Sequence, residues 1–320
     1  MRRLATTTTA LAALLAVAAC GSSPDDSPGG GSGGVDKVQV GAIPIVDVAP
    51  LHLGNSKGFF KEQNIEVEVV NTTGGSIAVT GVVSGQFDFA FGNVVSLITA
   101  RSQEIPVKAI TVGNSSTGKP GADFGGVVVP PDSPITDAAG LAGKNIAINN
   151  LNNITDTTTR ASIRKAGGDP SNIKWTELPF PEMPAAVLGK RVDAAMVVEP
   201  FFTIAQNQGA RVVAYNFAEA IPDMTVAAYF STEQTINQKA DLTKRFKAAM
   251  DKSLKYAQEH PDEARQVLQT YTQIDPAVAA KITLPAWPAE INRDSVQTLA
   301  DLMLSDGLIK EKVDVSELLP

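Results

Sequence analysis

The sequence predicts an α/β protein of two lobes, with mostly parallel sheets flanked by helices and two hinge crossovers. Three observations carry this. Short apolar strands alternate with helical segments along most of the chain, the pattern in which helices cover parallel sheets. Two apolar β-rich runs, Gly126 to Val129 and Thr225 to Phe230, interrupt that alternation beside Pro- or Gly-containing segments. The body of about 285 residues also exceeds a typical single core and calls for two.

The chain opens with Arg2 and Arg3, a short apolar run from Leu4 to Ala16, and small residues before Cys20, its only cysteine. That order is a secretory signal over residues 1–19, too short to span a bilayer as a helix. It resembles the lipobox of bacterial lipoproteins, which implies cleavage before Cys20, acylation of that cysteine and an exported protein held at the cell membrane by lipid. Residues 20–34 then form a tether: Gly21 to Gly34 reads GSSPDDSPGGGSGG, with nothing apolar to bury.

Within the body, Val38-Gln39-Val40 is a strand, and Ala49-Pro50 places proline in the first turn of a helix running to Gly58. Ile65 to Val69 alternates with period two, a second strand. The loop Asn71 to Ser76 opens a helix that ends near Gly85, Asp88 to Phe91 is a strand, and Asn93 starts a helix toward Ala100. Strands follow at Val107 to Val112, Lys144 to Ile148, Val192 to Val198 and Arg211 to Tyr215, with a helix from Thr157 to Ala166. Taking the two interrupting runs as crossovers, residues 35–128 and 227–320 form lobe 1 and 129–226 form lobe 2. The amphipathic stretch Leu242 to His260 and a helix from Asp294 to Ser305 pack on lobe 1.

The chain carries 27 basic and 34 acidic residues, a net charge of −7, and loss of the leader makes this 25 against 34, or −9. An acidic exported body excludes nucleic acid as a partner and excludes adhesion to anionic lipid by charge. With Cys20 lipidated, no cysteine remains for a disulfide or a metal, so neither metal nor cofactor is expected.

Several segments in order then point one way: Lys57-Gly58-Phe59-Phe60, Ile65-Glu66-Val67-Glu68, Val83 to Asp88, Asp132-Ser133-Pro134-Ile135, Leu141 to Ala147, Val192-Asp193-Ala194-Ala195 and Glu199-Pro200-Phe201. Together they resemble the solute-binding proteins of ABC importers, in the group that binds nitrate, sulfonates, taurine and thiamine-pyrimidine precursors. The resemblance implies the type II periplasmic-binding-protein fold, a monomer that captures a small organic solute between its lobes, and delivery to a permease and its ATPase. It implies no enzyme activity.

Ligand contacts are expected on loops after strands, where helix N-termini present free N–H groups. In the first loop Asp47 either accepts a hydrogen bond from a ligand amine or caps the helix at Pro50. His52, one turn on, reads as packed, and His260 as an exposed helix end. The second loop offers Thr73, Gly74, Gly75 and Ser76, the third Asn93. In the fourth, Asn149 to Thr157, the resemblance aligns Asn153, Thr155 and Asp156 with a ligand-facing segment. Glu199 beside Phe201 ends another strand and either holds a polar group or caps a helix, while Phe202 belongs to the core and Asp223 to a turn. Acidic side chains outnumber basic ones at these loops, with Arg160 and Lys119 nearest, which favours a neutral or amine-bearing solute.

Hydrolysis finds no support: there is no GxSxG elbow and neither histidine sits in a nucleophile arrangement. A relative of this fold makes a thiamine pyrimidine through a cysteine-containing segment, and this chain has no cysteine after Cys20. A solute-sensing surface lipoprotein is the other reading that the sequence leaves open.

Overall fold

The computed structural model describes residues 34–320. The expected signal, Cys20 and the tether up to residue 33 lie outside the described residues.

The chain first lays down β1 (Asp36–Ala42), α1 (Ala49–Lys57), β2 (Ile65–Asn71), α2 (Gly75–Val83), β3 (Phe89–Asn93), α3 (Val94–Ser102) and β4 (Val107–Ser115). Next come β5 (Gly125–Val129), β6 (Asn145–Ile148), α4 (Ile154–Lys165), β7 (Lys174–Glu177), α5 (Met183–Leu188), β8 (Ala194–Val198), α6 (Phe201–Asn207), β9 (Arg211–Ala214) and α7 (Asn216–Ala220). The remainder is β10 (Thr225–Thr232), α8 (Glu233–Gln238), α9 (Ala240–Glu259), α10 (Pro261–Val267), α11 (Pro276–Ala279), α12 (Arg293–Ser305) and α13 (Val315–Leu318).

Two five-stranded sheets result, one per lobe, ordered β2-β1-β3-β10-β4 and β7-β6-β8-β5-β9. In the first, β1 runs parallel to β2 and β3, and β10 antiparallel to β3 and β4. The second repeats the plan: β6 is parallel to β7 and β8, and β5 antiparallel to β8 and β9.

Burial follows strand position. On the edge strand β2, Ile65 and Val67 are buried while Glu66 and Glu68 face water, whereas every residue of β8 is buried. This is the difference between a strand covered on one face and one covered on both. Pro50 stands in the first turn of α1, and Gly58 ends it at φ 80°, where a side chain would be strained. The long helix α9 buries Phe246, Ala249, Met250, Ser253, Leu254 and Ala257 along one stripe. Phe246 stacks on Phe89 with centroids 4.2 Å apart and meets Phe60 at 5.8 Å, which fixes α9 against the first sheet.

Two expectations need correcting, and one strand was not expected. The runs taken as crossovers are β5 and β10, each the antiparallel strand that enters a sheet after the chain changes lobe. The crossings therefore lie at residues 116–124 and 221–224, and residues 125–128 belong with the second sheet rather than the first lobe. Helix α4 begins at Ile154, so Thr155 and Asp156 stand in its first turn and not in a loop. The edge strand β7, Lys-Trp-Thr-Glu, had no visible signal because it is four residues long with charges at both ends.

Candidate functional site

The carboxyl ends of the parallel strands in both sheets converge on a small cavity of ≈ 30 Å³. The first lobe contributes Ile43, Ile45 and Asp47 after β1, Phe91 and Asn93 at the end of β3, and Val226 and Ala227 of β10. From the second come Asn149, Ile154 and Thr155 around the start of α4, Phe180, Val198 at the end of β8, and Phe217 of α7. The walls are apolar and aromatic, with one carboxyl, two amides and one hydroxyl. No lysine, arginine or histidine lines the cavity among the described residues.

Asp47 sits in a tight turn, Val46–Val48, and is 3% exposed. Its carboxylate does not cap α1, whose first turn receives no side-chain bond. Instead Asn114 Nδ2, on β4, donates to Asp47 Oδ1 at 2.8 Å, while Oδ2 is buried without a partner. Burial pushes the Asp47 carboxyl up to about 7, against its own backbone N–H and the Asn114 amide, which favour the charged form; the Asp123 charge adds to the rise. The Trp287 indole N–H reaches the Asp47 carbonyl at 3.4 Å, and Tyr271 donates from its hydroxyl to the Ile45 carbonyl at 2.9 Å. His52 stacks on Tyr271 at 3.8 Å, and burial lowers it to about 4, so it is a packed, neutral histidine.

Asn93 caps α3 by accepting from the Ser96 N–H at 3.0 Å, and its Nδ2 donates across the cleft to Asn153 Oδ1 at 2.8 Å. Thr155 Oγ1 points to Asn149 Oδ1 at 3.5 Å. Asp47, Asn93 and Thr155 are thus brought together at the cavity, and Asn153 lies at its margin, tied to both Asn93 and Ser96.

The other candidates stand elsewhere. Thr73 and Ser76 are exposed, and Gly74 and Gly75 pack against Asn150 and Ser96 respectively. Asp156 is buried beside Arg160, whose Nε donates to it at 3.0 Å; burial still raises its carboxyl above the usual range, with the Arg160 charge opposing. Glu199 turns away from the cavity into the first turn of α6, where Thr203 donates from Oγ1 at 2.7 Å and from N–H at 3.0 Å. Burial pushes Glu199 up to about 7 against these bonds and that from the Thr283 N–H. Phe201 is half-buried against the core, and Phe202 is buried edge-on to Tyr215. Asp223 forms a turn at φ 49°, its carbonyl accepting from Asn292. Arg160 also bonds the Pro170 carbonyl and lies 5.2 Å from the Trp175 ring, so it serves the second lobe rather than the cavity.

Sequence reasoning did not find Asn114, Phe180 or Phe217. Asn114 carries the clearest missed signal, an amide that closes the apolar run from Val107. It is completely buried, and a buried amide needs a partner.

Comparison with known proteins decides the family. A profile described as "NMT1/THI5 like" matches residues 45–264. The chain belongs to the NMT1/THI5-like family. This NMT1/THI5-like protein is 22% identical over 223 residues to the formylaminopyrimidine-binding protein of Halalkalibacterium halodurans, covering 69% of this chain and 65% of the relative, just under two thirds of its length. A shorter match, 35% over 99 residues, covers 31% of the chain and 27% of the 4-amino-5-hydroxymethyl-2-methylpyrimidine phosphate synthase of Aspergillus parasiticus. Among solved structures, the ligand-binding component of an ABC-type import system from Staphylococcus aureus, with zinc bound, superposes with a TM-score of 0.75. It has 15% identity and covers 89% of this chain and 96% of its own. The chain shares the periplasmic-binding-protein fold. Among the described residues, no three His, Cys, Asp or Glu side chains gather as a metal site.

Proposed function

We propose that this protein is the extracytoplasmic solute-binding component of an ABC importer, lipid-anchored through Cys20, that encloses a small organic solute between its lobes and presents it to a permease. The lobes, residues 35–124 with 225–320 and residues 125–224, turn on the two crossings. A solute touching both lobes binds the closed form better than the open one and shifts the population by that difference. The permease reads occupancy from the closed shape, and no bond is made or broken.

The observation that carries this reading is the cavity itself, built from strand ends of both sheets, with a single buried carboxylate oxygen, Asp47 Oδ2, left without a partner in apolar walls. An unpaired buried carboxylate is costly and becomes favourable when a ligand supplies the missing donor. The solute therefore bears an N–H or a cationic group and an apolar or aromatic body, with Asn93 and Thr155 as further contacts. A simple anion finds no basic partner there. The short resemblance to a pyrimidine phosphate synthase carries little weight toward catalysis, because the chain has no cysteine after Cys20 and the cavity holds no nucleophile beside a base.

The test is a thermal-shift screen of the chain against amines, aminopyrimidines, amino acids, alkanesulfonates and nitrate, followed by calorimetry. A ligand at a hundred times its dissociation constant adds about 2.7 kcal/mol of stability. Stabilisation by a donor-bearing compound that is recovered unchanged supports the proposal. Stabilisation only by nitrate or sulfonates overturns the solute class, and conversion of the ligand overturns the binding role. Loss of the protein from the membrane fraction in Cys20→Ser tests the anchor.

A further inference from the structure

Beside the Val46 N–H bond to the Glu199 carbonyl, the Thr283 N–H bond to the Glu199 carboxylate and the Arg164–Asp306 ion pair, the lobes are joined across the cleft by a cluster of neutral side chains. Asn153 begins α4 in the second lobe with the extended backbone of a capping residue, φ −133° and ψ 179°, yet its side chain caps nothing. Its Nδ2 donates instead to Ser96 Oγ in the first lobe at 2.7 Å, and its Oδ1 accepts from Asn93 Nδ2 at 2.8 Å. Ser96 Oγ donates to Asn93 Oδ1 at 3.2 Å and closes a ring of three side chains. Asn153 is 3% exposed and Ser96 6%. Helix α4 has given up its own cap to reach the other lobe.

Gly74 is extended, φ −179° and ψ 173°, a conformation open to any residue, so its own backbone does not require glycine. A Cβ there would lie 1.7 Å from Asn150 Oδ1, on the opposite lobe. Glycine at this position makes room for the facing loop.

We infer that the Asn93–Ser96–Asn153 ring is a closure latch, which holds a closed population of the protein without solute and so raises the affinity of whatever binds. Amides and a hydroxyl suit this role. Each is bonded when closed and readily hydrated when open, so the latch biases the equilibrium without locking it. Each neutral bond shifts such an equilibrium roughly two- to tenfold, and loss of both bonds of Asn153 shifts it by about tenfold or more. A ligand's apparent dissociation constant rises by the factor through which the competent fraction falls. The inference is independent of whether the solute is imported or sensed.

The test uses the full chain, freed of co-purified solute by dialysis in urea and refolded, and compares wild type, Asn153→Ala, Gly74→Ala and the double variant Gly74→Ala/Asn150→Ala. Hydrogen exchange is followed at Val94 to Leu97 and Asn149 to Thr155, with small-angle scattering for overall dimensions. Amides of β3 and β8 verify that each variant is folded. Wild type is expected to be compact, with slow exchange at both segments. Asn153→Ala and Gly74→Ala are expected to raise that exchange about tenfold and to expand the particle, and Asn150→Ala to reverse the effect of Gly74→Ala. An expanded wild type, or exchange and dimensions unchanged in both single variants, overturns the latch.

Discussion

Replacing Asp47 with asparagine should make the protein more stable above neutral pH while changing little in acid. Burial raises this carboxyl from 3.8 to about 7. Between those values the folded protein holds a proton that the unfolded chain releases, so stability falls as pH rises through the window and is flat above it. Each unit corresponds to 1.36 kcal/mol, so the full window of about three units amounts to about 4 kcal/mol. That is a large share of the 5–15 kcal/mol of a typical domain. Asparagine keeps the shape and an acceptor for the Asn114 amide, which bonds Oδ1 at 2.8 Å, but cannot ionise. Urea denaturation at pH 5 and pH 8 measures the effect: wild type should lose about 3 kcal/mol more than Asp47→Asn between them. Equal losses would show that the carboxyl titrates near its ordinary value and would refute the account of the buried site.

Glu199→Gln should act in the same direction for the same reason, since burial raises that carboxyl from 4.5 to about 7; its share is about 3 kcal/mol, lost as pH rises from 4.5 to 7 and read in the same urea series. Because Glu199 bonds Thr203 and Thr283 and does not line the cavity, Glu199→Gln should leave solute affinity within about twofold, as calorimetry on any solute found by the screen will show. Phe246→Ala empties the contact between α9 and the first sheet, where the ring stacks on Phe89 at 4.2 Å, and should cost about 3–5 kcal/mol in urea midpoints.

Much of this fold is legible because the chain alternates in ways that only a half-buried strand or an amphipathic helix explains. Ile65-Glu66-Val67-Glu68 reads as a strand, and the stripe through Phe246, Met250 and Leu254 reads as a helix. The start of α4 is hidden for a physical reason. The amide-rich run Asn149-Asn150-Leu151-Asn152-Asn153 reads as loop, and Asn153, at the cap position, turns its side chain to Ser96 rather than to the helix it precedes. Gly126 to Val129 cannot be told from a bridging segment by composition, because its antiparallel partners, β8 and β9, come about 70 to 85 residues later. Asp47, Asn93 and Thr155 line the cavity because strand ends point there. Glu199 satisfies the same rule but does not line the cavity, and Thr203, four residues on, bonds its carboxylate locally. Nothing in the sequence distinguishes a carboxylate with a local partner from one without. Phe180 and Phe217 reach the cavity from short segments with no periodicity, one between two prolines and one in the five-residue helix α7.

The raised carboxyl of Asp47 also makes the chemistry of the solute readable from pH alone. A solute with a permanent positive charge or a neutral N–H needs the ionised carboxylate as acceptor. Below pH 7 its binding must expel the proton that burial has placed there, so affinity should fall up to tenfold per pH unit as pH drops, and level off above 7. A solute that instead offers an acceptor needs the protonated form, and its affinity should rise as pH drops. Calorimetry near pH 7 in two buffers of different ionisation heat separates the cases, since the first releases about half a proton and the second takes up about half a proton. Asp47→Asn removes the pH dependence in either case while preserving the cavity's shape, so a variant that keeps the wild-type profile would place the titrating group elsewhere. Affinity that strengthens in acid would reverse the sense of the hydrogen bond, with Asp47 as the donor and an anionic or carbonyl group as its partner, while leaving the cavity between the lobes as the binding site.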